Sequence, residues 1–338
     1  MLNPTDLRGM YAIIATPAKD GADRWDATNT VDLAETERLV NKLIADGATG
    51  LIALGTTGEC ATLIREDYEA FVDCLLATVN HRIPTFVGAT ALGLHEAVRR
   101  LRFVRERGAE GTLLGLPMWQ PCTVDTAVEY YATVSHAFPD LALMVYANSR
   151  AFRFDYTPEF WGKVVAKAPT VMSAKFSNTN TLLACLEASK GRVHFLPNEG
   201  AVLRFAELSP ETTTGCWATA ASMGPRPAVA LMDAIMAKDW TRAKAVNADL
   251  QWASEPVEPI IRNAELFASY NIQVEKIRID AAGYSKAGPI RPPYNVVPDD
   301  IAQASRECGR RWAEIAKKYS LSSSPTAFAV RGGLGEAR

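Results

Sequence analysis

A lysine inside an apolar strand pattern is the first residue of this sequence that could do chemistry. Lys175 follows Val171 and Met172 and directly precedes Phe176, so a strand here would hold its amine among apolar side chains. Burying an ammonium costs free energy unless it is paired or loses its proton. Desolvation lowers the pKa of a lysine, and the free amine attacks carbonyl carbons. Lys175 is therefore either a nucleophile or a structural lysine that reaches solvent.

A glycine-rich turn follows the second strand pattern. The run Gly55-Thr56-Thr57-Gly58-Glu59 combines two glycines, which let a ligand approach the backbone closely, with two hydroxyl groups. Exposed N–H groups in such a turn form a small anion-binding concavity, which would fit one carboxylate. The alternative is a tight turn with a threonine cap. No Gly-Lys-Ser/Thr follows, so the run is not a Walker loop.

Aromatic and amide side chains stand near the ends of other elements. Tyr146 ends the fifth strand pattern, where its phenol could exchange a proton with a group on Lys175 or serve as a buried aromatic with a satisfied hydroxyl. Asn148 would point the same way if the strand continued. Trp217 could stack on a flat substrate or simply pack in the core, and Asn271 is a weaker candidate.

The elements that must position these residues alternate regularly. The predicted strands cover residues 11–16, 50–54, 84–88, 111–116, 141–147, 170–176, 192–197 and 212–217. The predicted helices cover residues 31–46, 65–80, 94–107, 123–137, 157–167, 179–189, 200–207 and 223–237. Most of the strands are continuously apolar, which is typical of parallel strands covered on both faces. Eight such units predict an α/β fold, a (β/α)8 TIM barrel.

An open doubly wound sheet is the rival fold, but no Gly-x-Gly-x-x-Gly follows the first strand. We predict a catalytic barrel over residues 1–238, a C-terminal helical extension packed on it over 239–320, and a flexible tail over 321–338. A barrel carries its active site at the carboxyl ends of its strands, which is where the candidates above fall.

Composition excludes several classes of function. The chain has 338 residues, 36 Lys and Arg against 38 Asp and Glu, and no basic run of five residues, so we expect no nucleic-acid partner. No apolar stretch approaches the roughly 18 residues of a membrane span, and the N-terminus does not resemble a secretory signal. Six scattered cysteines predict reduced thiols and a cytoplasmic protein. Four histidines without His-Glu-x-x-His predict no metal site.

Three of these motifs together resemble one known family. The Gly-Thr-Thr-Gly-Glu turn, Tyr146 and Lys175 are similar to the dihydrodipicolinate synthase / N-acetylneuraminate lyase family of class I pyruvate aldolases, over about residues 8–320. The resemblance implies a (β/α)8 barrel with C-terminal helices, commonly a homotetramer. It also implies that Lys175 forms a Schiff base with a small keto acid, so that no separate cofactor is needed.

The resemblance assigns roles to the other candidates. It implies that Tyr146 carries protons and that Thr56 and Thr57, in the turn shaped by Gly55 and Gly58, bind the carboxylate of the keto acid.

Departures from the synthase pattern narrow the resemblance to one branch. Met118-Trp119 stand where the synthase has paired tyrosines, and the run that follows Tyr146 also differs. The runs Tyr-Ala-Asn, Gly-Cys-Trp and Tyr-Asn-Ile, which end at Asn148, Trp217 and Ile272, are closest to bacterial hydratase-aldolases that act on benzylidenepyruvates in aromatic-hydrocarbon degradation, in the naphthalene or phenanthrene route.

This branch implies a substrate and a pocket. The Gly-Thr-Thr-Gly turn favours trans-o-carboxybenzylidenepyruvate, hydrated and cleaved to 2-carboxybenzaldehyde and pyruvate. The alternative is the trans-o-hydroxy substrate, which gives salicylaldehyde and pyruvate. Asn148 is expected to position the water or shuttle its proton. Trp217, Phe176 and Trp119 are expected to form the aryl pocket, and Asn271 to hydrogen-bond the ring substituent.

Three other functions are also compatible with the sequence. One is another pyruvate lyase or dehydratase of the same family with an aliphatic sugar-acid substrate. The second is a silent barrel that senses a keto acid and has no need of an imine-forming lysine. The third is a phosphate-binding barrel enzyme, which is disfavoured because the glycine-rich turn follows strand two rather than strands seven and eight.

Overall fold

Eight parallel strands form the centre of the molecule. The computed structural model describes residues 2–320. The strands are β1 Gly9–Ile13, β2 Gly50–Ala53, β3 Thr85–Gly88, β4 Gly111–Leu114, β5 Ala142–Tyr146, β6 Val171–Lys175, β7 His194–Leu196 and β8 Gly215–Ala218. Each pairs with the next along the chain as far as β7, and β8 pairs with β1. The predicted (β/α)8 barrel is confirmed, and the open sheet is excluded.

Trp217 closes the barrel between β7 and β8. Its backbone N–H donates to the carbonyl of Pro197 at 2.9 Å, and its indole N–H donates to the carbonyl of Leu196 at 3.0 Å. An isolated parallel bridge also joins Trp217 to Asn198. These bonds satisfy polar groups that an open edge would expose, and they fix the indole at the barrel mouth.

Helices surround the barrel and extend beyond it. The helices of the barrel are α1 Leu33–Ala45, α2 Arg65–Val79, α3 Leu94–Glu106, α4 Val124–Ala137, α5 Ser149–Phe152, α6 Pro158–Lys167, α7 Leu182–Ser189, α8 Val202–Leu208 and α9 Arg226–Met236. The C-terminal helices are α10 Trp240–Ser254, α11 Glu258–Arg262, α12 Ala264–Ala282 and α13 Asp299–Ser320. The short helix α5, next to the strand end that carries Tyr146, was not predicted.

Two strand bounds differ from the prediction by three residues, and a threonine hydroxyl forms a hydrogen bond outside the ladder at each of them. β1 ends at Ile13 rather than at residue 16, and the hydroxyl of Thr16 donates instead to the carbonyl of Gly58 at 2.8 Å. β8 begins at Gly215 rather than at residue 212, since Thr213 turns back to the carbonyl of Ser209. Threonine hydroxyls commonly compete with ladder bonds in this way.

The helical extension packs on the barrel. Trp312 of α13 is buried, and its indole N–H donates to the carbonyl of Gly224 at 3.0 Å, just before α9. Within residues 2–320, no helix has both the length and the apolar character needed to cross a bilayer. The tail predicted for residues 321–338 lies outside the described residues.

Candidate active site

A cavity of about 900 Å³ opens at the carboxyl ends of the strands. Its floor contains the end of β6, and α10 to α12 of the extension form part of its wall. The lining includes Lys175, Tyr146, Thr57, Asn148, Trp217 and Asn271. The cavity therefore brings together six residues that the sequence predicted for one site.

Lys175 is held between two aromatic rings. Its Nζ lies 3.4 Å from the centre of the Trp217 ring and 4.8 Å from that of Tyr146. Among residues 2–320 the amine has neither a hydrogen-bond nor an ion-pair partner. Burial lowers the pKa of Lys175, although the fields of Tyr146, Glu199 and Glu275 partly oppose the shift. Aromatic faces attract the ammonium only weakly compared with a carboxylate, so a reactive free amine stays accessible.

The hydroxyl of Tyr146 belongs to a small network. It shares a hydrogen bond of 2.8 Å with the hydroxyl of Thr56, and the amide of Asn148 donates to it at 3.3 Å. Tyr146 lies opposite Lys175 in the ladder of β5 and β6, so the two side chains share one face of the barrel. This arrangement places a phenol beside the amine, where it can pass protons.

The glycine-rich turn lies beneath this network. Its backbone closes tightly, with the N–H of Glu59 donating to the carbonyl of Thr56 at 2.9 Å. A Cβ at Gly58 would lie 2.7 Å from the backbone nitrogen of Leu54, so only glycine fits there. Thr57 lines the cavity, whereas Gly55, Thr56 and Gly58 are not among its lining residues. The turn thus exposes one hydroxyl to the cavity and uses the other to hold Tyr146.

A buried charge cluster anchors the turn to the C-terminal extension. Glu59, fully buried, accepts hydrogen bonds from the amine of Lys276 at 2.8 Å and from the backbone N–H of Arg291 at 2.9 Å, and its carboxylate also pairs with the Arg291 guanidinium. Lys276 and Arg291 are themselves buried. The loop after β2 is therefore fixed by residues more than 200 positions away in the sequence.

Two predicted pocket residues lie outside the cavity lining. Phe176 follows Lys175 directly, and consecutive strand residues point to opposite faces. Its ring packs between the sheet and the helices, 5.2 Å from Phe195 and 6.2 Å from Trp161. Trp119 is 80% exposed, and the guanidinium of Arg153 donates to its backbone carbonyl at 2.7 Å. These two rings therefore do not form an aryl pocket in the structure.

Several cavity residues were not predicted from the sequence. Glu199 lies in the loop after β7, and Arg150 lies in the short helix α5, whose presence the spacing did not predict. Phe267 of α12 lies under the Arg150 guanidinium at 4.6 Å. Strand-end position could have identified Glu199, since it stands three residues after β7 at the active-site face.

Asn271 enters the cavity from α12 with an unsatisfied acceptor. Its Oδ1 is buried and has no hydrogen-bond partner among residues 2–320. A buried polar atom of this kind is stabilised when a ligand or a water donates to it. In the same part of the chain, no three His, Cys, Asp or Glu side chains are grouped so that they could hold a metal ion.

Fold and site together define the class of protein. A closed (β/α)8 barrel whose strand ends present a desolvated lysine, a networked tyrosine and a polar cavity is a barrel enzyme with its active site at the usual face.

The chain belongs to the dihydrodipicolinate synthetase family, whose model matches residues 18–307. It is 41% identical over 94% of its length to the trans-O-hydroxybenzylidenepyruvate hydratase-aldolase of Pseudomonas putida, covering 97% of that protein. It is 36% identical over 93% of its length to the trans-2'-carboxybenzalpyruvate hydratase-aldolase of Nocardioides sp. (strain KP7), covering 95% of that protein.

A solved structure is also similar. PhdJ bound to a substrate intermediate superposes with a TM-score of 0.90 at 35% identity, covering 94% of this chain and 99% of that one. The chain is accordingly an enzyme, a carbon–carbon lyase of this family.

The buried cluster yields a stability prediction. Glu59→Gln removes the carboxylate that compensates two buried cations, so we expect the free energy of unfolding in urea to fall by about 3–5 kcal/mol. Glu314→Gln, on the exposed face of α13, is the control and should change it by no more than about 0.5 kcal/mol. A loss in Glu59→Gln no larger than that of the control would contradict the anchoring role of Glu59.

Proposed function

We propose that the protein is a class I hydratase-aldolase that cleaves an arylidene pyruvate through an imine on Lys175. The observation that carries the proposal is the Lys175 amine at the end of β6, which has no ion-pair partner among residues 2–320, lies 3.4 Å from the Trp217 ring and has its pKa lowered by burial. A lysine in this state is a nucleophile toward a ketone. The hydratase-aldolases to which the chain is similar support the same reaction.

The first step is imine formation. The free amine of Lys175 adds to the C2 carbonyl carbon of the substrate, and the carbinolamine then loses its hydroxyl as water with a proton from Tyr146. The hydrogen bonds from Thr56 and Asn148 hold the phenol in place for this transfer. The C1 carboxylate would lie on the turn that contains Thr57, whose hydroxyl faces the cavity.

The cationic imine then serves two steps in succession. It withdraws the electron pair of the conjugated C3=C4 bond, so that water adds at C4 and a proton at C3. Loss of the proton from the C4 hydroxyl next breaks the C3–C4 bond, releases an aromatic aldehyde and leaves an enamine of pyruvate. Protonation and hydrolysis of the enamine return the free amine. Because the imine is the electron sink throughout, we propose that no metal or other cofactor takes part.

We propose 2-carboxybenzylidenepyruvate as the substrate, with 2-carboxybenzaldehyde and pyruvate as products. The support is Arg150, a cavity cation that has no ion-pair or hydrogen-bond partner among residues 2–320 and lies over the Phe267 ring. Guanidinium groups bind carboxylates through paired charged hydrogen bonds. The flat faces of Phe267 and Trp217 offer surfaces for the aryl ring in place of Phe176 and Trp119.

The 2-hydroxy substrate is the second candidate, and a separate observation favours it. The buried Oδ1 of Asn271 lacks a donor, and a ring hydroxyl is a donor. The 41% identical relative is named for this substrate.

We further propose a cytoplasmic homotetramer, as the family resemblance implies. All six cysteines are unpaired, which suits a reducing compartment.

Borohydride trapping tests the imine. With pyruvate and borohydride, intact-protein mass spectrometry should detect one reduced adduct, and peptide mapping should assign it to Lys175. Lys175→Ala should lose both the adduct and turnover, whereas Lys286→Ala, an exposed lysine, should keep both. An unchanged mass of the parent enzyme under these conditions would refute the proposed imine.

Substrate preference tests the role of Arg150. We expect Arg150→Gln to reduce kcat/KM for the 2-carboxy substrate roughly 10- to 100-fold, the effect of losing a charged hydrogen bond, while leaving that for the 2-hydroxy substrate nearly unchanged. Arg262→Gln is the matched control, since Arg262 lies at the same rim but is already paired with Glu258. Equal losses on both substrates, or a parent enzyme that turns over only the hydroxy compound, would exclude the ring-carboxylate assignment.

A further inference from the structure

One half-buried carboxylate that lines the cavity has no role in the proposed imine mechanism. Glu199 stands three residues after β7, is half-buried and lines the same cavity as Lys175. It forms no ion pair within residues 2–320. A carboxylate at the reacting face that is left unpaired by the fold is available for chemistry.

The two oxygens of Glu199 have different surroundings. The backbone N–H of Ala220, which follows β8, donates to Oε1 at 3.1 Å. Oε2 accepts no hydrogen bond from another residue of the described part. The carboxylate is thus oriented by one bond while its second oxygen is free to accept a proton from a ligand or a water.

Glu199 and Tyr146 belong to the two strand ends that flank β6. Tyr146 ends β5 and is the ladder partner of Lys175, whereas Glu199 follows β7 and is bonded to the segment after β8. The Tyr146 hydroxyl already has Thr56 and Asn148 as partners. The two acid–base groups therefore come from different strand ends and have different hydrogen-bond partners.

Burial also raises the pKa of Glu199, against the opposing field of Arg278. A carboxylate with a raised pKa is a stronger base than an ordinary glutamate once it is ionised, and its protonated form persists to a higher pH. Both properties are needed where a single group must take a proton from water and then give it to carbon.

We propose that Glu199 is the catalytic base that activates water for addition at C4 and later removes the proton of the C4 hydroxyl. This inference rests on the proposed imine mechanism, and it assigns the hydration chemistry to Glu199 and the imine chemistry to Tyr146.

The protons balance over hydration and cleavage. In hydration, Oε2 takes a proton from water as the C4–O bond forms, while the C3=C4 pair moves into the C2–C3 bond and the C2=N pair moves onto nitrogen. The protonated Glu199 then delivers its proton to C3, and the nitrogen pair returns to restore the cationic imine. In cleavage, the carboxylate takes the C4 hydroxyl proton, and the pair of the breaking C3–C4 bond enters the enamine. The same proton can then be given to the enamine carbon before hydrolysis.

Glu199→Gln separates this role from that of the imine. We expect the variant to form the borohydride-trapped pyruvate adduct at the rate of the parent enzyme but to turn over both benzylidenepyruvates roughly 10²–10⁴-fold more slowly, the usual contribution of a positioned acid–base group. Glu199→Asp should recover part of that loss. Tyr146→Phe should give the contrasting pattern, with trapping slowed as well.

Glu207→Gln, an exposed carboxylate on α8 of the same segment, is the control and should match the parent enzyme in both assays. Turnover by Glu199→Gln within threefold of the parent would overturn the proposal, and so would a parallel loss of trapping, which would make Glu199 a counter-charge for Lys175. Absence of trapping in the parent enzyme would instead refute the imine itself, so the two failures are distinguishable.

Discussion

The structure depends on keeping the half-buried Lys175 without a carboxylate partner among residues 2–320. Another lysine, the buried Lys276, is paired with Glu59 at 2.8 Å, which makes that amine part of the scaffold. In the described part of the chain, Lys175 is contacted instead by two aromatic faces, at 3.4 Å and 4.8 Å. A direct ion pair would stabilise the ammonium and remove the nucleophile, whereas desolvation without pairing favours the free amine. Lys276 therefore stabilises the fold through its ion pair, whereas Lys175 is left available for reaction.

Other features of the barrel help to keep Lys175 without a carboxylate partner. Trp217 closes the barrel with its backbone and its indole N–H, so the ring face that contacts Lys175 is fixed by the same bonds that complete the sheet. The charged groups needed for stability are paired elsewhere, in the Glu59 cluster and in the buried Glu275–Arg278 pair at 2.6 Å. Both clusters use residues of α12, and so the C-terminal extension supports the site as well as covering it.

The sequence predicted the parts of the site that follow from local pattern. Eight apolar runs and the strand-end rule located Lys175, Tyr146 and the turn before Glu59. It did not predict what depends on the course of loops or on distant contacts, such as Arg150 in the short helix α5, or the pairing of Glu59 with Lys276 across 217 positions. The prediction that Phe176 lines the aryl pocket neglected strand alternation. Because consecutive strand residues point to opposite faces, Phe176 and Lys175 cannot both face the cavity.

The proposed mechanism requires that the amine of Lys175 is desolvated and loses its proton at a lower pH than an ordinary lysine. Carbon-13 NMR of protein labelled at the lysine ε carbons, with the Lys175 resonance assigned by its loss in Lys175→Arg, measures the pKa of this residue directly. We expect this resonance to titrate at a pH clearly below that of free lysine, about 10.4. A midpoint at or above that value would contradict a desolvated, reactive amine at this position.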